Sequence, residues 1–436
     1  MAAYAVLPRE AHARRSERLG AAARTARGTG AFPLGVASGE VTHASAMLWT
    51  RYVGTSPLEC AVFAESEATA LAGGNPVFYG VVTPDSGGFV HLPVGGLEPG
   101  RRYAYLFRER EGGSHAIAGR FRAADGPGTV RPLVFTASAC ARNGRTFGTL
   151  RGLDRDTEGD FHVLLGDTTY ADGAFTVEEF RDKWAENLCR EEFRALRASR
   201  GLVVSWDDHE VANDWAGDNL GTERVAAATQ AFFEHAPLHR VTGAPNRLWR
   251  SHRFGDTAEL FVLDVRSERI PESRLDRDGQ YLSAAQFTWL TESLQASTAR
   301  FKILVNSVPI GDFPGPFRPF TRDRWVGYPA QRQALLTFIE DHKLPGVFFL
   351  SGDFHMASLG SVSPTGAGRS IPEVLVGAVA ARSRNPLTEA CRPPRYSFAS
   401  AAEHTARLRL DPLTGEVTVQ WRAGPGVLLA ERRFTV

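Results

Sequence analysis

The sequence is poor in lysine, cysteine and long apolar runs, and it carries almost no net charge. Of its 50 basic residues only Lys183, Lys302 and Lys343 are lysines, a compositional bias with no functional signal of its own. The formal net charge of +1 excludes a bulk electrostatic pull toward nucleic acid or an anionic membrane. The four cysteines (Cys60, Cys140, Cys189 and Cys391) stand far apart without a C-x-x-C pair. That spacing excludes a zinc ribbon and argues against a disulfide framework, although one pair could still bridge. No apolar run reaches the ~20 residues of a membrane helix. A twin arginine, Arg14-Arg15, is followed by Ser-Glu-Arg where an export signal needs an apolar stretch. Residues 1–31 are therefore expected to form a flexible tail.

What is present is an ordinary globular composition, 436 residues with 43% apolar and 23% charged, enough for more than one domain. From 32 to 124, short β-rich runs such as AMLWTRYV, ECAVFAE and RRYAYLFRER alternate with Gly/Pro turns. This spacing predicts a small antiparallel β-sandwich of fibronectin III-like type. DGPGTVRP at 125–132 reads as a linker.

After it the pattern changes. LVFTASA, FHVLLG, LVVSW, LFVLDV, KILVNSV and VFFLSG are apolar runs mostly without alternation, as in strands buried on both faces. Helical segments lie between several of them. TVEEF at 176–180 and SAAQ at 283–286 offer capping boxes for two of these helices. Residues 131–436 are thus expected to form a layered α/β domain.

The ends of those runs carry the chemistry. They lead into Cys140, into Asp167 with Tyr170 three residues on, into Asp207-Asp208-His209, onto Asn306, and into Asp353 and His355. Ligands of α/β sheets bind at the carboxyl ends of strands. A lone strand-terminal Asp is usually a turn residue and a lone Cys usually a small hydrophobe. Several metal-binding types at equivalent points are better explained by one shared site. Thiolate and phenolate with carboxylate and imidazole suit an ion such as iron. The carboxylate-rich side suits Ca²⁺, Mn²⁺ or Mg²⁺. One carboxylate of DDH is then expected to face a metal and His209 the substrate.

The motifs PLGVASGE, SAC, LLGDTTYAD, SWDDHEVANDW, FVLDVRSER, LSAAQFTWL, DRWVGYPAQR and LSGDFH, in this order, resemble the alkaline phosphatase D family. These are the PhoD-like phosphatases of the calcineurin-like metallophosphoesterase superfamily. The resemblance runs from about residue 32 to the C-terminus. It implies a metallophosphoesterase-type αββα domain behind the sandwich. It also implies phosphoester hydrolysis by a metal-activated water on Fe³⁺ plus one or two divalent ions, Ca²⁺ or Mn²⁺.

Carried onto this chain, the family pattern gives Cys140, Asp167, Tyr170 and His355 to the iron, with Asp167 bridging to the second metal. Asp208 and Asp353 would hold that second metal, with Asn306 and Asn213 as further candidates. His209 would assist the phosphate or the leaving group, and Arg142 would contact the phosphate. Glu40, Thr168 and Thr169 depart from the usual family residues. Members are typically exported, so the missing apolar stretch leaves localisation open. The implied substrates are phosphorylated small molecules or lipids, acted on by a monomer. The first reading is a phosphatase for monoesters and some diesters. The alternatives are a phosphodiesterase or phospholipase D-like enzyme, and a catalytically silent metal-binding module.

Overall fold

The computed structural model describes residues 4–6, 30–65, 75–111, 113–217, 219–313, 323–381 and 386–436. Apart from the three residues at 4–6 and those from 30 on, the expected tail, with Arg14 and Arg15, lies outside them.

The N-terminal strands are β1 (Tyr4–Val6), β2 (Val36–Gly39), β3 (Ser45–Arg51), β4 (Leu58–Ala64), β5 (Phe78–Val82), β6 (Phe89–Gly95), β7 (Arg102–Glu109) and β8 (Gly119–Arg122). Then follow β9 (Leu133–Ser138), β10 (Phe161–Leu165), β11 (Gly201–Ser205), β12 (Arg250–Phe254), β13 (Ala258–Val262), β14 (Phe301–Asn306) and β15 (Val347–Ser351). The last are β16 (Ala357–Ser361), β17 (Pro372–Leu375), β18 (Tyr396–Ser400), β19 (Thr405–Asp411), β20 (Glu416–Gly424) and β21 (Val427–Thr435). The principal helices are α1 (Val177–Leu188), α2 (Glu191–Ser199), α3 (Thr222–His235), α4 (Ala284–Ala296) and α5 (Pro329–Asp341).

Two sheets face one another. One runs β21-β20-β19-β9-β10-β11-β2-β3-β6 and the other β12-β13-β14-β15-β17-β16-β18. Alternate residues explain the layering. Phe135, Val163, Leu260, Ile303 and Leu350 point into the space between the sheets. Leu164, Leu202 and Val204 point outward, under Phe180, Trp184, Leu196 and Phe232 of α1–α3. On the other flank Leu304 and Phe349 meet Leu290, Leu335 and Ile339 of α4 and α5. Strands buried on both faces need this cover, and the result is a four-layer αββα arrangement.

The sandwich is welded to this body. β3 and β6 pack Leu48, Val90 and Leu92 against Cys60, Val62 and Tyr105 of a five-stranded sheet, β1-β5-β4-β7-β8. Yet β2 pairs in parallel with β11, through Gly201–Ser38 and Leu202–Gly39. The reverse face of the same strands joins the helix-layer core through Ala37, Trp49 and Phe89. Trp49 donates its indole N–H to Glu234 O at 2.7 Å, and the buried Arg197 guanidinium lies 4.3 Å from its ring. Glu40 pairs with Arg250.

The segment read as a linker is also tied down. Asp125 and Asp160 share Arg122 and Arg131 across four ion pairs of 2.7–3.1 Å.

Of the two capping boxes, the one at Thr176 forms in full with Glu179. The second is half made. Ser283 accepts from Gln286 N–H at 3.2 Å, but the Gln286 amide turns inward to the backbone of Asp264 and to Glu268. A buried backbone pair out-competes an exposed cap for the same side chain. All four cysteines are free. Among the described residues no helix is long and apolar enough to cross a membrane.

Candidate metal centre

Strands β9, β10 and β11 run parallel, as do β13, β14 and β15. Their carboxyl ends therefore open on one edge. Immediately past them the chain turns sharply. Cys140, Asp167, Asp353 and His355 all have positive φ, at 56°, 53°, 68° and 50°, a region non-glycine residues seldom adopt. Gly166 makes the turn before Asp167 possible. Its φ is 103°, and a Cβ there would lie 2.7 Å from the Asp207 backbone N and Cβ.

Glu210 fixes the same turn from below. Its buried carboxylate accepts the backbone N–H groups of Asp167, Thr168 and Asp207 at 3.0, 2.6 and 2.8 Å. Asn187 adds two bonds, donating to Ala141 O and Thr168 O at 2.6 and 2.9 Å.

Two groups of donor atoms result, each within 4.8 Å of one another: Cys140, Asp167 and His355, and Asp167, Asp208 and His209. Asp167 belongs to both. Tyr170 joins the first group, its hydroxyl 3.2 Å from Asp167 Oδ2 and 3.0 Å from His355 Nε2. Its ring stacks on His209 with centroids 4.0 Å apart.

Asp353 lies in neither group and accepts from Arg324 Nε at 2.5 Å. Asn306 is buried at the end of β14 and bonds to Trp325 Nε1 and Val308 O. Asn213 is exposed, its amide donating to Asp214 at 2.8 Å. Arg142 is exposed, and its charge reaches His355.

The electrostatics favour a cation. Burial, followed by the charges of Asp167 and Asp353, holds the Cys140 thiol far above its ordinary pKa. Burial, then Asp167 and Cys140, does the same to Tyr170. Asp167 is itself pushed well up, chiefly by burial. Burial and neighbouring negative charge make the anionic form of each of these donors costly, and a bound cation offsets that cost. Asp208 Oδ1 and Asp207 Oδ2 are buried oxygens with no hydrogen-bond partner, and Asp208 Oδ1 has Arg266 Nη2 3.5 Å away. The donor set therefore fits metal.

His209 differs. Burial would depress it, but Asp167, the Asp172 hydrogen bond and Asp208 lift it to about 10.

Several participants carried no signal that singled them out in the sequence. Asp172 lies 2.7 Å from His209 Nδ1 and also accepts Asn213 N–H at 2.7 Å. Arg266 is fully buried, 2.6 Å from Asp207, 3.5 Å from Asp208 and 3.3 Å from Asp323. Arg266 and Arg324 lie in FVLDVRSER and DRWVGYPAQR, so those two motifs were the only clue to them.

Facing β-sheets between helix layers, with donor-rich turns on one edge, define a metallophosphoesterase-type fold. The chain belongs to the PhoD-like phosphatase family, whose sequence pattern matches residues 134–423. That of the PhoD-like phosphatase N-terminal domain matches residues 18–125. Alkaline phosphatase D of Bacillus subtilis (strain 168) is 28% identical over 381 residues, covering 74% of this chain. This chain spans 64% of that relative's length. A solved structure of PhoD superposes with a TM-score of 0.79 at 23% identity, covering 93% of this chain and 89% of that one. A purple acid phosphatase from yellow lupin (Lupinus luteus) seeds gives a TM-score of 0.62 at 14% identity, covering 92% and 73%. At these identities the two structures speak for the fold alone.

Proposed function

We propose that this chain is a metal-dependent phosphoester hydrolase that cleaves monoesters and some diesters. The observation that carries this reading is the place of Asp167 in both donor groups. One carboxylate common to two cations lowers their repulsion and fixes their spacing.

In this reading Cys140, Asp167, Tyr170 and His355 would hold Fe³⁺. Asp167 and Asp208 would hold a divalent ion, Ca²⁺ or Mn²⁺, with Asp353, Asn306 and Asn213 as further candidates. Bound there, the ions would supply Lewis acidity toward the phosphoryl oxygens and lower the pKa of a coordinated water.

The chain's own residues do the rest. His209, held charged by its acidic neighbours and oriented by Asp172, stabilises developing negative charge or protonates the leaving oxygen. Exposed Arg142, whose charge reaches His355, would meet an incoming phosphate. Glu210 keeps the Asp167 turn rigid.

The test is metal analysis of the purified protein beside a panel of monoester, diester and phospholipid substrates. Two metals per chain with monoester turnover is the expected result. Full metal content with no hydrolysis of any ester would overturn the reading. Turnover confined to diesters or phospholipids would replace the monoester assignment.

A further inference from the structure

Helix α1 opens with an oddity. Thr176 is its N-cap, and the residue before an N-cap commonly packs its apolar side chain on the fourth helical residue. Here that fourth residue, Phe180, is buried, while Phe175 stays 61% exposed. Phe175 is nonetheless held in place. Its backbone N–H donates to Glu179 Oε2 at 2.8 Å, and the Arg224 guanidinium lies 4.4 Å from its ring centroid. The same guanidinium donates to Asp172 O at 2.5 Å and to Val211 O at 3.4 Å, and so joins the turn carrying Asp172 to the turn that follows His209. Asp172 in turn lies 2.7 Å from His209. The exposed ring is thus three contacts, through Arg224 and Asp172, from the histidine that would act on the leaving group.

We infer that Phe175 is a specificity-determining residue, a platform on which a planar aromatic leaving group of the phosphoester stacks. An aliphatic group laid on the ring would gain only buried area. An aryl group gains offset stacking as well, on a surface whose backbone and one face are already fixed, so little ordering is required. Arg224 is a positioning residue for this platform and for Asp172. The inference rests on the hydrolase reading of the neighbouring centre.

The test compares phenyl phosphate with ethyl phosphate in the full-length, metal-loaded wild type, Phe175→Ala and Phe175→Trp. Phe175→Ala should raise KM for phenyl phosphate by about 2- to 10-fold and leave kcat unchanged. The KM for ethyl phosphate should shift less than that for phenyl phosphate and its kcat not at all, and Phe175→Trp should restore the phenyl KM. Equal changes for the two esters, or none for phenyl phosphate, would overturn the inference. If the wild type hydrolyses neither ester, the hydrolase reading is what fails. Calorimetric binding of phenylphosphonate and methylphosphonate then decides the platform separately. Selective weakening of phenylphosphonate binding in Phe175→Ala supports it, and equal binding to both proteins refutes it.

Discussion

The two sides of Asp167 are built on different electrostatic principles. On one side, Cys140 and Tyr170 keep their protons, because burial and neighbouring negative charge make each anion costly. On the other side, guanidinium groups already do a cation's work. Asp353 is pulled below its usual carboxylate range despite burial, because Arg324 stands against it. Asp207, raised to about 7 by burial, is restrained from rising further by Arg266. In the proposed reading a strongly charged ion takes over from the protons of the first side. The second is partly neutralised by the protein itself and asks less of its ion. This contrast agrees with a trivalent ion beside the cysteine and a divalent one beside Asp208.

The most severe break should come from Asp167→Asn. It removes the carboxylate common to both sides, so elemental analysis should find both metals depleted and turnover down at least ~10³-fold. Both metals bound with near-normal turnover would leave Asp167 a mere turn residue.

His209→Ala should spare the metals, lowering turnover by ~10²–10⁴-fold with metal content near wild type. Loss of a metal equivalent would make His209 a ligand of the second group instead.

Tyr170→Phe sharpens the comparison. Protein isolated aerobically should contain iron and absorb in the visible through phenolate charge transfer. The variant should lose that band, keep its divalent ion and lose activity. A colourless, iron-free and fully active wild type would rule out the trivalent assignment.

The smallest effect on catalysis should come from Trp49→Ala. Removing this buried indole should cost about 3–5 kcal/mol of stability in chemical denaturation and leave metal content unchanged. A selective metal loss would show that the sandwich helps to hold the centre.

Much of this was legible in the sequence because strand ends are local features. Five of the six apolar runs end in Cys, Asp, His or Asn, and bringing those ends together needs only the rule that parallel strands present their carboxyl ends on one edge. The compensating groups were not legible. A buried arginine such as Arg266 looks like any charged residue until its partners, some 58 and 59 positions away at Asp208 and Asp207, are brought beside it. Glu210 sits within the DDHE run, but its task of gathering three backbone N–H groups exists only once the turns have formed. The weld between sandwich and catalytic layer was hidden too. VASG is four residues long and meets β11 through two residue pairs, too short a match for any periodicity to reveal.

The left-handed backbone at Cys140, Asp167, Asp353 and His355 has an evolutionary consequence. Each such residue costs of order 1–3 kcal/mol that a glycine would not. A lineage that no longer needed the chemistry would gain heat resistance by mutating the very residues that perform it. Silent descendants of this fold should therefore show glycine or asparagine at these four positions, and the metal-free forms of such variants should melt above metal-free wild type.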